Sequence, residues 1–93
     1  MSFRKSCTQA EPLYQRALAI REQVFGPDHP NTATSLSYLA ALFESQEKYE
    51  QAGLFYRRAL DIRERTLGST HPNTISSQIN YQMLIQKVNS KRP

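Results

Sequence analysis

Residues 10–32 and 52–74 carry nearly the same text, forty-two positions apart. The first copy reads AEPLYQRALAIREQVFGPDHPNT and the second AGLFYRRALDIRERTLGSTHPNT, with 13 of 23 aligned positions identical. The identities include Tyr14/Tyr56, Arg16/Arg58, Arg21/Arg63, Glu22/Glu64, Gly26/Gly68 and the whole of His-Pro-Asn-Thr. A fixed period of 20–50 residues marks an architecture of stacked units, each burying its apolar face on a neighbour. Function in such a chain belongs to an extended surface made by stacking, and not to one enclosed catalytic pocket.

The apolar spacing within each copy is helical. Ala10, Leu13, Tyr14, Ala17, Leu18 and Val24 keep the i, i+3, i+4, i+7 pattern, and Ala52, Phe55, Tyr56, Ala59 and Leu60 repeat it. Leu36, Leu39, Ala40 and Phe43 mark another amphipathic helix between the copies. No stretch alternates with period two for long enough to form a strand. Gly26 and Gly68 follow the last periodic residues, where a left-handed residue ends a helix at least cost. Pro30 and Pro72 then suit a first helical turn, where the missing N–H would go unpaired anyway. The pattern predicts an all-α chain with helices over 8–25, 31–45, 49–67 and 73–88, loose at the first seven and last few residues. Short loops force successive helices to run antiparallel.

At 93 residues the chain makes one small domain, residues 1–93, with about two repeats. Its 22% charged and 39% apolar content fits a folded protein and argues against disorder. The lone Cys7 has no internal disulfide partner, and MSFRKSC lacks the apolar stretch of a signal peptide, so the expectation is a cytoplasmic protein. No run approaches the length that crosses a bilayer, so no membrane association is expected. The net charge of +4 comes from the ends, because every acid lies between Glu11 and Glu64. A nucleic-acid binder more often carries a basic stripe with interleaved aromatics, so no nucleic acid is expected.

Residues 33–66 resemble a tetratricopeptide repeat. Leu36, Leu39, Ala40, Phe43, Tyr49, Ala52, Tyr56, Ala59 and Leu60 occupy its signature positions in order, with Glu47 where the turn usually has glycine. The longer period and the wording RALxIRE…G…HPNT are similar to the kinesin-light-chain type of that repeat. The resemblance implies a right-handed superhelix, the first helix of each hairpin lining a concave face that holds an extended peptide. By position, that face presents Thr34, Ser37, Tyr38, Ala41, Glu44 and Ser45, and then Ser76, Ile79, Asn80, Met83 and Lys87. Kinesin-light-chain repeats place two asparagines at the positions of Ser37 and Tyr38, and again at those of Ile79 and Asn80. An asparagine amide pairs with both N–H and C=O of a peptide backbone, and of these four positions only Asn80 keeps it.

The last helix departs from the pattern. Gln78 stands where a large apolar residue is expected and Gln82 where a small one is. An amide forced into a helix contact without partners costs about 1–3 kcal/mol. Either the helix is rotated, or it caps the stack with a polar outer face, and the cap is the reading preferred here.

Little in the sequence suggests catalysis. His29 and His71 occupy equivalent loop positions, which successive repeats hold far apart, so they read as polar helix starts and not as metal ligands. Cys7 aligns with Tyr49, a packing position, and reads as buried filler. Arg57–Asp61 and Asp61–Arg65 have the spacing of surface pairs along one helix face. Tyr14, Tyr49, Tyr56 and Tyr81 fall at core phases, Tyr38 alone at a groove phase. The reading is a non-enzymatic module without cofactor that binds a protein or peptide on its concave face, with Tyr38 and Lys87 as expected anchors. The alternative is a self-associating scaffold in which the partnerless first helix covers a neighbouring chain's last one, giving a homo-oligomer.

Overall fold

A computed structural model describes the backbone of residues 3–91 and the side chains of residues 11–90. Among the described residues all regular structure is helical: α1 (Phe3–Phe25), α2 (Pro30–Ser45), α3 (Tyr49–Leu67) and α4 (Pro72–Lys91). The middle boundaries lie within a residue of those read from the spacing. The outer ones do not: α1 begins five residues earlier than expected and α4 runs three further. Phe3–Gln9 contains neither glycine nor proline, α1 continues through Pro12, and after Pro72 the next proline is Pro93, so neither helix is stopped sooner. The expected loose first seven residues are thus mostly helix. Cys7 lies on α1, and its side chain is outside the described residues.

Each helix packs on its neighbours in sequence, α1 on α2, α2 on α3 and α3 on α4. The molecule is 18 Å across its thinnest direction, room for two helix layers at 8–10 Å spacing. Two linked clusters hold the centre. Ala33 and Leu36 of α2 meet Ala59 and Ile62 of α3. Leu39, Ala40 and Phe43 meet Ala52 and Tyr56, and Leu84 joins them from α4. Leu18 and Phe55 pack against both groups. Ala40, Ala52 and Ala59 are fully buried, so their missing bulk is what lets α2 and α3 close up. Phe43 and Phe55 then stack with ring centroids 5.5 Å apart.

The repeated wording becomes a repeated junction. Gly26 and Gly68 adopt φ of 93° and 89° and end α1 and α3, a conformation that costs a side chain about 1 kcal/mol or more. Nδ1 of His29 accepts the Asn31 N–H at 3.0 Å, and Nδ1 of His71 accepts the Asn73 N–H at 3.1 Å, so each imidazole caps the next helix. Thr32, fully buried, donates its hydroxyl to the Gly26 carbonyl at 2.7 Å; Thr74 donates to the Arg63 carbonyl at 3.2 Å. The starts of α2 and α4 are therefore each tied by a side-chain hydrogen bond to the end of the helix before.

The other turn lacks its glycine. Glu47 takes φ of 62°, its N–H bonded to the Glu44 carbonyl and the Lys48 N–H to the Phe43 carbonyl. That pair of bonds forms a Schellman motif, whose left-handed position favours glycine. Glu47 holds it under strain.

Candidate functional site

The face expected to bind is the channel between α2 and α4. Two interactions bring those helices together, one at each end. Arg63 enters from α3 between them: Nη1 donates to Ser77 Oγ at 2.7 Å and to the Asn73 carbonyl at 3.5 Å, while Nη2 reaches Thr34 Oγ1 at 3.5 Å. At the other end Lys87 Nζ meets Glu44 Oε2 at 2.7 Å, and the Tyr56 hydroxyl donates to Glu44 Oε1 at 2.9 Å. Burial and then the Glu44 carboxylate push the Tyr56 phenol well above its ordinary range. The hydrogen bond with Glu44, followed by its charge, raises the Lys87 ammonium.

Arg63 is the unusual member. It is only 9% exposed, no carboxylate pairs with it among the described residues, and its Nε has no hydrogen-bond partner. Burial lowers its pKa, with the nearby Tyr38 phenol acting in the opposite direction. The floor of the channel is therefore electropositive at its Thr34 end, where the guanidinium's partners among the described residues are hydroxyls and a carbonyl.

The residues singled out from sequence divide into three groups. Thr34 and Ser37 are half-buried, and Ala41 and Asn80 are exposed, as groove residues should be. Tyr38 is 55% exposed, and its ring stacks on Tyr14 of α1 at 5.9 Å, which fixes its orientation. Glu44 and Lys87 are the second group, bound to each other. Ser45, at the end of α2, donates its hydroxyl to the Leu42 carbonyl at 2.7 Å. The third group is Ile79 and Met83, which line a hollow of about 540 Å³ between α3 and α4 with Arg57, Leu60, Glu64 and Gln82. Ser76 is exposed.

Arg63 and Ser77 escaped the sequence reading as channel residues, although a signal existed. Arg21 Nη1 bonds Ser35 Oγ at 3.0 Å and the Asn31 carbonyl at 3.5 Å, the same arrangement one repeat earlier. Ser35 and Ser77 are themselves forty-two apart, just beyond the aligned block. The adjacent Glu22 faces another way and pairs with Arg58 at 2.7 Å. Of the two surface pairs expected on α3, Asp61–Arg65 forms at 3.9 Å, Arg65 also reaching Asp28 at 3.1 Å. Arg57 does not pair with Asp61: its guanidinium lies over the Tyr81 ring, 5.9 Å from the centroid, because α4 supplies an aromatic face at that height.

The last helix is not rotated. Thr74, Ser77 and Leu84 are buried, as are their counterparts Thr32, Ser35 and Leu42. Its outward side is only partly the polar surface of a cap, because Ile75, Ile79, Met83 and Ile85 stand exposed beside Gln82 and Gln86.

Paired antiparallel helices, alanines at the crossings and a 42-residue internal repeat meet a sequence match at this point. A model of the tetratricopeptide repeat family covers residues 3–64, about two thirds of the chain. The chain belongs to the tetratricopeptide repeat family. It is also similar to human tetratricopeptide repeat protein 19, mitochondrial, at 36% identity over 50 residues, 54% of this chain. That stretch is 13% of the relative's length, so the chain spans a small part of it. Tetratricopeptide domains are in general non-catalytic modules that bind other proteins. No group of three or more metal-ligating side chains occurs among the described residues, and no helix is long and apolar enough to cross a membrane.

Proposed function

We propose that the α2–α4 face holds an extended segment of a partner protein, without chemistry of its own. The observation that carries this reading is Arg63: a buried guanidinium with no carboxylate partner among the described residues, below a surface that leaves Tyr38 and Asn80 open. Peptide carbonyls or an acidic side chain would complete it, the Asn80 amide would pair with the backbone, and the Tyr38 ring would supply contact area. Glu44 and Lys87, already paired, act as the wall of the channel and not as its anchors. The 42-residue period and the His-Pro-Asn-Thr junction support the kinesin-light-chain-like subtype. A cytoplasmic location remains part of the proposal, and fractionation of tagged protein tests it against the mitochondrial one in the human relative's name.

A screen of displayed random peptides tests the binding face. Wild-type protein should enrich a peptide class, and the Tyr38→Ala, Asn80→Ala double variant should lose it while keeping its helix content. Enrichment that survives the double variant places binding elsewhere.

A further inference from the structure

The same 42-residue step that carries α1 onto α3 carries α2 onto α4. Helix α3 packs on α2 and reaches α1 through the Arg58–Glu22 pair, so the hollow beside α3 and α4 is the place one step further along. We propose that α1 of a second copy occupies it, joining copies head to tail in a fixed register. This surface is separate from the α2–α4 channel, and the inference does not depend on what that channel binds.

The register follows from the contacts α3 makes within one molecule. Arg58 of α3 pairs with Glu22 at 2.7 Å. One step on, the acid is Glu64, which lines the hollow, and the base is Arg16 of the incoming α1. Neither side chain forms an ion pair among the described residues, and both are exposed. Their charges complement each other across the junction.

The remaining contacts translate as well. Phe55 stacks on Phe43, and the corresponding pair is Leu13 on Ile85, both exposed in the single molecule. Arg63 reaches Thr34 through Nη2; Arg21, its Nη1 already engaged by Ser35, would reach Ser76, which keeps the hydroxyl. Tyr56 donates to Glu44, and Tyr14 would donate to the amide oxygen of Gln86. Leu13 is 65% exposed and Ile20 53%, although their counterparts Phe55 and Ile62 are packed against α2. An apolar stripe on α1 thus has the partner that its own repeat specifies.

Gln78 and Gln82, in place of Leu36 and Ala40, set the strength. They put amides where α3 finds a leucine and an alanine, which keeps the contact weak and reversible. The contact is heterologous and does not close on itself, so mass should climb steadily with concentration instead of stopping at a dimer.

Sedimentation velocity of the whole chain over a wide concentration range provides the test. Wild type should show a rising weight-average mass. Arg16→Glu should weaken association about tenfold or more, as should Glu64→Arg, by setting like charges against each other. The double variant Arg16→Glu, Glu64→Arg should recover it, and Gln82→Ala should strengthen it. Helix content by circular dichroism should match wild type throughout, since both charges are exposed. A mass that stays at one chain at every concentration overturns the proposal. So does association that ignores Arg16→Glu, or a charge swap that fails to restore it; either result assigns the α3–α4 hollow to a different occupant.

Discussion

Helices α2 and α4 occupy the same place in successive repeats, yet among the described residues α2 buries eight and α4 three. Thr32/Thr74, Ser35/Ser77 and Leu42/Leu84 are buried in both. All three positions look back toward the preceding helix. Ala33, Leu36, Ala40 and Phe43 are buried in α2, whereas Ile75, Gln78, Gln82 and Ile85 lie open or half-open in α4. Those positions look forward, toward a following helix. The buried backward residues are thus retained across the repeat, and the forward contact is where the two copies diverge. Two selections act on one helix surface: hydrogen-bonding chemistry fixes its backward side, and the identity of the next neighbour fixes its forward side.

Exchanging forward residues gives the sharpest test of this contrast. Leu36→Gln places an amide in a site with no exposure and should cost about 3–5 kcal/mol, from lost burial plus unpaired polar atoms. Gln78→Leu, the reverse change on α4, should move stability by less than about 1 kcal/mol, because its site is only half-buried. Urea denaturation of both variants checks the asymmetry. Equal effects would show that α4 is covered as α2 is.

Backward residues should behave alike in the two copies. Thr32→Val and Thr74→Val keep the shape and remove the hydroxyl that completes a carbonyl, so each should cost about 1–2 kcal/mol in the same measurement. A smaller change is expected at the turn. Glu47→Gly should gain up to about 1 kcal/mol by relieving the left-handed strain, read as a raised melting temperature.

The last difference is silent near neutrality. Tyr56 bonds Glu44, whereas the second copy offers no carboxylate at the matching Gln86. The folded Tyr56 phenol has a raised pKa, so its contribution is complete below the unfolded value of about 10. It is lost as pH rises through the folded value. Stability should therefore fall in alkali above about pH 10, and Tyr56→Phe should flatten that fall. Denaturation midpoints across alkaline pH read it directly.

Helix positions, the two glycine stops and the core set Leu36, Leu39, Ala52, Tyr56 and Ala59 were legible in the sequence, because a 3.6-residue period and a duplicated text leave few alternatives. The outer helix ends were not. Without glycine or proline, nothing in Phe3–Gln9 or between Val88 and Lys91 marks a boundary. The work of Arg21 and Arg63 was hidden for a different reason: each reaches a serine fourteen residues on, a distance set by the angle at which helices cross. Spacing placed Lys87 on the groove but says nothing of its pairing with Glu44 one repeat earlier.

The buried threonine at each junction has a bearing on how the molecule comes apart. Because the hydroxyl that opens α2 is bound to the end of α1, and the one that opens α4 to the end of α3, neither α2 nor α4 can melt without breaking its tie to its predecessor. Each joined pair, α1 with α2 and α3 with α4, should accordingly open together, with the amides beside Thr32 and Thr74 exchanging in step with the ends they hold when placed in deuterated solvent.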